Sequence, residues 1–306
     1  MATWRLTFCA HAIVVMAMAT LVGCGMTTQQ KAAVAKFSTA TSELAEVSAD
    51  HLVAIRNDTI VIRTGMSELG SKKVDVNDPV KDLDAGLDVD DLEARLAALV
   101  ALKSYADVLQ ALATTDNSAE IQAAGGELLT NLGKVKGIEL KPGQAGAIQS
   151  AIGAVGGLYI EYRKEQATKT VVRETSEPIT KILGLLRADF DPAGIWAGNL
   201  ADVENQLEKQ LPIENQALGG EGAPADSATA SLRSRYAALK LDARARRDNR
   251  NVARARLTQI LDSFDKAHRD LEDVSAHKTF KEADINNYVA QVQQFVVIYK
   301  ALAKKD

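Results

Sequence analysis

The sequence predicts an all-α fold, an elongated helical bundle with long antiparallel helices of the coiled-coil type. Apolar residues recur three and four positions apart over long stretches, which is the helical period. No stretch alternates convincingly between apolar and polar residues as a half-buried strand does, and the most β-like run, 59–63, is interpreted as a helix end. Alanine is abundant and aromatic residues make up only 5% of the chain, a composition that suits close-packed helices.

The first part of the chain has the layout of a secretory signal. Arg5 supplies a positive charge, residues 6–21 carry no charge apart from His11 and are dominated by apolar side chains, and small residues then lead to Cys24. The apolar run is too short and wrongly flanked for a stable membrane span. Its end, Leu-Val-Gly-Cys at 21–24, resembles the lipobox of bacterial lipoproteins.

That resemblance implies a signal peptide at 1–23 and lipid attachment at Cys24. In lipoproteins the cysteine thiol receives a diacylglyceryl group, the signal is removed just before it, and the new amino group is usually acylated. Gly25 is not the aspartate that retains lipoproteins at the inner membrane of enteric bacteria, so the resemblance implies the outer membrane, facing the periplasm. Cys9 leaves with the signal, so we expect no free thiol and no disulfide in the mature chain.

The mature chain is predicted to begin with a lipidated tether, 24–30, followed almost at once by a long helix. This helix starts at about Gln29, because apolar residues recur at helical spacing without a glycine or proline until the segment 65–88. Glycine, asparagine and proline in that segment predict a long connection. A second helix is predicted from Val89 to about Thr114, with Asp88 as its N-cap.

The middle of the chain predicts three more helices. The polar cluster 116–118 caps a shorter helix that ends near Gly137. The longest candidate helix covers 141–188, with a proline in its first turn, and Pro178 is expected to kink or split it. A further helix is predicted at 192–211, and Pro212 ends it.

The last part of the chain predicts a helical hairpin. Residues 212–226 are rich in glycine and proline and form a flexible linker between an N-terminal bundle region, 31–211, and a C-terminal hairpin, 227–306. A short turn joins helices at 227–276 and 279–304, so we expect an antiparallel pair packed on the same bundle. The heptad stripes are Leu257, Ile260, Phe264, Ala267, Leu271 and Val274, followed by Ile285, Tyr288, Val292, Phe295, Tyr299 and Leu302.

Six arginines within thirteen residues of this hairpin form what we call the arginine band: Arg244, Arg246, Arg247, Arg250, Arg254 and Arg256. Such charge favours contact with an anionic surface, for example lipid phosphates, or with an acidic partner. The alternative is a solvated helix face, partly matched by nearby aspartates and the acidic segment 75–93. The heptads place Arg246 and Arg250 on the seam, where they should weaken packing, so we expect either that the register slips there or that this stretch is not docked like the rest. No nucleic-acid partner is predicted, because no aromatic residues interleave with the band.

Carboxylates at Asp82, Asp84, Asp88, Asp90 and Glu93 approximate the ligand spacing of a calcium loop. The turn glycine falls one position too early for such a loop, so capping of the second helix is the favoured interpretation. The histidines lack the i,i+4 pairing of a metal site and are expected to be buried or to face a partner. No phosphate loop, nucleophile elbow or Cys/His nucleophile set occurs, so no metal, cofactor or catalytic residue is predicted.

Residues 145–160 are uncharged and rich in small side chains. Gly153 and Gly157 predict a buried helix in tight contact with its neighbours, or a membrane-inserting hairpin as the alternative. Taken together, the sequence predicts a lipid-anchored, non-enzymatic protein of the bacterial envelope that acts as a helical scaffold or binding module for an envelope protein. The alternative is a membrane-perturbing protein that resembles helical pore-forming toxins.

Overall fold

The computed structural model describes residues 25–69, 83–84, 87–191, 193–194, 205–206, 208–209, 227–275 and 281–303. These residues form helices and connections but no strand, which confirms the all-α class. The helices are α1 (Thr28–Glu68), α2 (Val89–Thr114), α3 (Ser118–Leu132), α4 (Gln144–Gly153), α5 (Ile160–Phe190), α6 (Ser227–Ser275) and α7 (Glu282–Ala303).

Several predicted features lie outside the described residues. They are the signal peptide 1–23, the lipobox cysteine Cys24, most of the predicted helix at 192–211 and the linker 212–226. The elongated, coiled-coil character of the bundle also stays a prediction.

Helix α1 packs against α2, α6 and α7 and lies at the centre of the core. Its later half meets the start of α2, where Arg56 Nε donates to the carbonyl oxygen of Leu87 at 2.8 Å. Its earlier half meets the later half of α2, where Lys103 Nζ donates to Ser42 Oγ at 2.9 Å. The two helices are therefore antiparallel.

The C-terminal hairpin shares this core. Ser263 Oγ donates to Gln291 Oε1 at 2.9 Å, and the rings of Phe264 and Tyr288 pack edge to face with centroids 5.4 Å apart. These contacts make α6 and α7 antiparallel, and the Tyr288 hydroxyl reaches Thr41 Oγ1 of α1 at 3.1 Å. Ten of the twelve predicted stripe residues are buried, while Leu302 is half-buried and the side chain of Val274 lies outside the description.

Local capping explains where the helices begin. Asp88 accepts a hydrogen bond from the Asp91 amide at 2.7 Å, which confirms it as the N-cap of α2. Asn117 caps α3 in the same way through the Ala119 amide. The predicted break at Gly65 is wrong, because α1 continues to Glu68 while the α6 side chain of Leu239 packs 2.8 Å from where a Cβ on Gly65 would lie.

The predicted helix at 141–188 is divided, but the division does not occur at Pro178, which lies inside α5. It occurs after Gly153, where Gly156 and Gly157 have φ values of 148° and 74°. A Cβ on Gly153 or Gly157 would meet nothing within 4 Å, so the tight helix contact predicted there is wrong. The close approach lies instead at Gly125 on α3, where the side chain of Ile152 of α4 leaves no room for a Cβ atom.

By length and composition, α2 is apolar enough to cross a membrane. In the bundle, however, 67% of its most apolar window is buried. The core positions of a central helix require the same apolar residues, so composition alone is weak evidence for a span.

Phe295→Ala is expected to lower the free energy of unfolding by about 3–5 kcal/mol, because it removes a ring that is only 1% exposed and leaves a cavity in the hairpin seam. The matched control is Val297→Ala on the same helix, where the side chain is 70% exposed and the expected change is below about 0.5 kcal/mol. Urea denaturation measures both values. Equal effects would contradict the assignment of the seam.

Candidate functional site

The first described residues, directly after the predicted lipobox cysteine, pack on the bundle. Gly25 lies against α5, where a Cβ on it would come 3.2 Å from the Cβ of Glu161, and Met26 is 8% exposed. Thr27 and Gln30 form a capping box, in which each side chain accepts a hydrogen bond from the other residue's backbone amide. The segment predicted as a tether, 24–30, thus contains a buried residue and the first turn of α1.

Ion pairs connect this end of α1 to the neighbouring helices. Lys31 of α1 pairs with Glu161 of α5. Lys164, which is 2% exposed, donates to Asp116 at 2.9 Å, and this hydrogen bond lowers the pKa of the Asp116 carboxyl. The three connections before α1, α3 and α5 are therefore held together at one end of the bundle, which we call the anchor end.

An apolar turn projects from the anchor end. The positive φ values of Gly156 and Gly157 shape a short 3₁₀ turn, Gly157–Tyr159, that leads into α5. Leu158 in this turn is 98% exposed, and Tyr159 beside it is 66% exposed. Arg163 Nη1 donates to the carbonyl oxygen of Ala154 at 3.0 Å, which joins the two sides of the turn.

The arginine band divides into an inward and an outward part. Arg246 and Arg250 both bind Asp58 of α1, at 2.7 Å and 2.6 Å from its two carboxylate oxygens. Asp58 is 3% exposed and Arg250 is 7% exposed, so this triad is part of the core. Both arginines thus turn towards α1, and the distant aspartate that accommodates them had no local signal in the sequence.

The other four arginines of the band lie nearer to solvent. Arg244 pairs with Glu208 at 3.1 Å, Arg247 pairs with Asp248 at 3.0 Å, and Arg256 is exposed. Arg254 is half-buried, and its Nε makes no hydrogen bond. Their contact with an anionic surface or an acidic partner stays a prediction.

His51 and His268 are buried, which is one of the two environments that the sequence predicted for the histidines. Burial, reinforced by the positive charges of Arg250 and Arg254, lowers the pKa of His51 to about 3. Neither ring nitrogen of His51 has a hydrogen-bond partner. Burial also lowers the pKa of His268 to about 4, and its ring stacks on Phe264 with centroids 5.8 Å apart.

The acidic segment provides structural contacts. Asp84 is buried and pairs with Arg56 at 3.6 Å, whereas Asp88 caps α2; Asp82 lies outside the described residues. No group of three His, Cys, Asp or Glu side chains that could hold a metal ion occurs in the described ranges. A pocket beside Met26 has a volume of about 10 Å³, which is room for about one water molecule.

Comparison of the chain with known protein families, curated proteins and solved structures finds no match.

Asp58→Ala is expected to lower the free energy of unfolding by about 3–5 kcal/mol, because it leaves the buried Arg250 without its carboxylate. Asp248→Ala is the matched control: this aspartate also pairs with an arginine of the band, but its side chain is 61% exposed and the expected change is below about 0.5 kcal/mol. Chemical denaturation of both variants measures the difference. A harmless Asp58→Ala would contradict the structural role of the triad.

Because His51 and His268 are buried, we expect the free energy of unfolding to fall in acid. Because their pKa values are lower in the folded chain than in the unfolded chain, the unfolded state binds more protons below about pH 6.5. The free energy of unfolding should fall by about 1.4 kcal/mol per pH unit and per histidine, between about pH 6.5 and the folded pKa. At about pH 5 this amounts to about 2 kcal/mol for each histidine.

Urea denaturation at neutral pH and at about pH 5 tests this prediction in the parent and in His51→Leu. The variant should lose roughly half of the histidine-dependent destabilisation, because His268 still titrates. An acid-induced loss in His51→Leu as large as in the parent would contradict the assignment to His51.

Proposed function

We propose that the protein is a lipoprotein of the bacterial cell envelope, anchored through Cys24, and that its helical bundle acts as a non-enzymatic scaffold or protein-binding module. The proposed location is the outer membrane, with the bundle facing the periplasm. The observation that supports the proposal is that the two residues after the predicted lipobox cysteine belong to the folded bundle, since Gly25 packs on Glu161 and Met26 is buried. Acyl chains on Cys24 would hold the bundle itself at the bilayer surface.

The strength of such an anchor follows from its apolar area. Each buried CH₂ group of an acyl chain contributes about 0.8 kcal/mol, and two or three chains bind a membrane far more firmly than one.

Helix α1 has 41 residues and starts three residues after Gly25. At about 1.5 Å per residue, it extends about 60 Å from the anchor end.

One face of α6 supports the protein-binding part of the proposal. Leu241 is 68% exposed and Val252 is 49% exposed, and both lie on the same helical face as the exposed Arg244 and Arg256. Exposed apolar residues beside arginines are a typical composition of protein interfaces. This face lies on the side of α6 opposite to Arg246 and Arg250, the two arginines that bind Asp58 of α1.

The membrane-perturbing alternative gains no specific support from the described helices. The segment 145–160, which would form its membrane-inserting part, is divided between α4, a glycine turn and α5. Release of a trapped dye from liposomes would distinguish such a protein from an anchored scaffold, which leaves the vesicles intact.

The anchor is tested by Cys24→Ser in the native host. This change should abolish labelling by radioactive fatty acid and release the protein into the soluble fraction, because the acyl chains provide the membrane affinity. Cys9→Ser is the matched control, since the only other cysteine of the chain would leave with the signal peptide. Unchanged membrane retention of Cys24→Ser would contradict the proposal.

A further inference from the structure

The projecting turn at the anchor end carries large apolar side chains that the bundle does not cover. Leu158 is 98% exposed, Tyr159 is 66% exposed, and Tyr162 in the first turn of α5 is 47% exposed. Positions i, i+1 and i+4 share one face where a 3₁₀ turn continues into an α-helix. We call these three residues the apolar tip.

The apolar tip is held in a defined conformation. Val155 at its base is buried in the core, and the bond from Arg163 Nη1 to the carbonyl oxygen of Ala154 joins its two sides. Gly156 and Gly157 adopt φ values that other residues rarely adopt, so this turn requires glycine. A rigid turn that directs an exposed leucine outward is not explained by packing within the described chain.

The start of the described chain lies beside the apolar tip. Gly25 contacts Glu161, which is two residues after Tyr159 and one before Tyr162. Since consecutive Cα atoms are about 3.8 Å apart, a lipid on the residue before Gly25 would be attached one residue from this contact, and the bilayer surface would then lie close to the tip. Leucine and tyrosine are suited to that surface, because tyrosine sits at the head-group level with its ring in the apolar region.

We propose that Leu158, Tyr159 and Tyr162 insert into the head-group region of the bilayer that holds the lipid on Cys24, as a second contact that orients the bundle. This inference rests on the proposed function, because the lipid supplies the proximity. A lipid chain alone leaves a protein free to tilt about one point, whereas a rigid turn beside it fixes which end of the bundle faces the membrane. The partner of the tip is thus a phospholipid surface.

The test uses the lipidated mature protein with a single introduced thiol. The mature chain retains only the lipid-modified Cys24, so Leu158→Cys provides the one free thiol for an environment-sensitive nitrobenzoxadiazole label. Leu241→Cys is the matched control, because Leu241 is also an exposed leucine but lies in the part of α6 that is far from the anchor end. Both labelled proteins are reconstituted in vesicles of phosphatidylethanolamine and phosphatidylglycerol that carry spin labels on their acyl chains.

The label at 158 should shift its emission to shorter wavelength and be quenched by the acyl-chain spin labels, whereas the label at 241 should do neither. A label at 158 that stays in water while the protein floats with the vesicles overturns the inference and leaves the proposed function intact. A label at 158 that becomes shielded only after an envelope protein is added also overturns this inference and leaves the proposed function intact. A mature protein without lipid on Cys24, shown by mass spectrometry, overturns both.

Discussion

The burial of α1 constrains the rest of the structure, because this helix is packed against α2, α6 and α7 at once. A polar group that such a helix carries into the core costs free energy unless it is hydrogen-bonded, and the ring of His51, without a hydrogen-bond partner, is one group that bears this cost. Ser38, Thr41 and Thr59 avoid the cost locally, since each hydroxyl donates to the carbonyl four residues earlier. Asp58 cannot do so, and its charge requires Arg246 and Arg250 from α6.

This requirement gives the ion triad a role in specificity. Two antiparallel helices with repeated apolar stripes can slide by a heptad at modest cost, because similar side chains then face each other again. One buried aspartate opposite two arginines one turn apart disfavours such a heptad shift, because the positions seven residues away on α6 are apolar and would leave Asp58 buried without a partner. Replacing such a triad by apolar residues is often neutral or stabilising, so the triad specifies alignment more than it adds stability.

Local signals account for the part of the fold that the sequence predicts. The cap at Asp88 defines the start of α2, and the heptad stripes identify the buried face of α6 and α7. Glycine alone does not predict where a helix ends, because its effect depends on its neighbours. At Gly65 the missing side chain makes room for Leu239 and the helix continues, whereas Gly156 has a positive φ and interrupts the helical region. The partner of Arg250 lies 192 residues away, a separation at which no pattern in one sequence can reveal a pair.

The candidate site likewise combines one feature that a local sequence motif reveals with another that only the folded structure reveals. The predicted lipobox is a contiguous motif and can therefore be recognised in the sequence, while the apolar tip depends on which side chains the bundle leaves uncovered. In the proposed anchored protein, α1 connects the anchor end to the arginine band: Asp58, which binds the band, lies 30 residues after Thr28, about 45 Å along the helix axis. A continuous helix transmits orientation as well as distance, so a tip fixed in the bilayer would also determine where the exposed face of α6 is presented. Anchor and binding face are then parts of one rigid arrangement, in which membrane contact at one end sets the reach of recognition at the other.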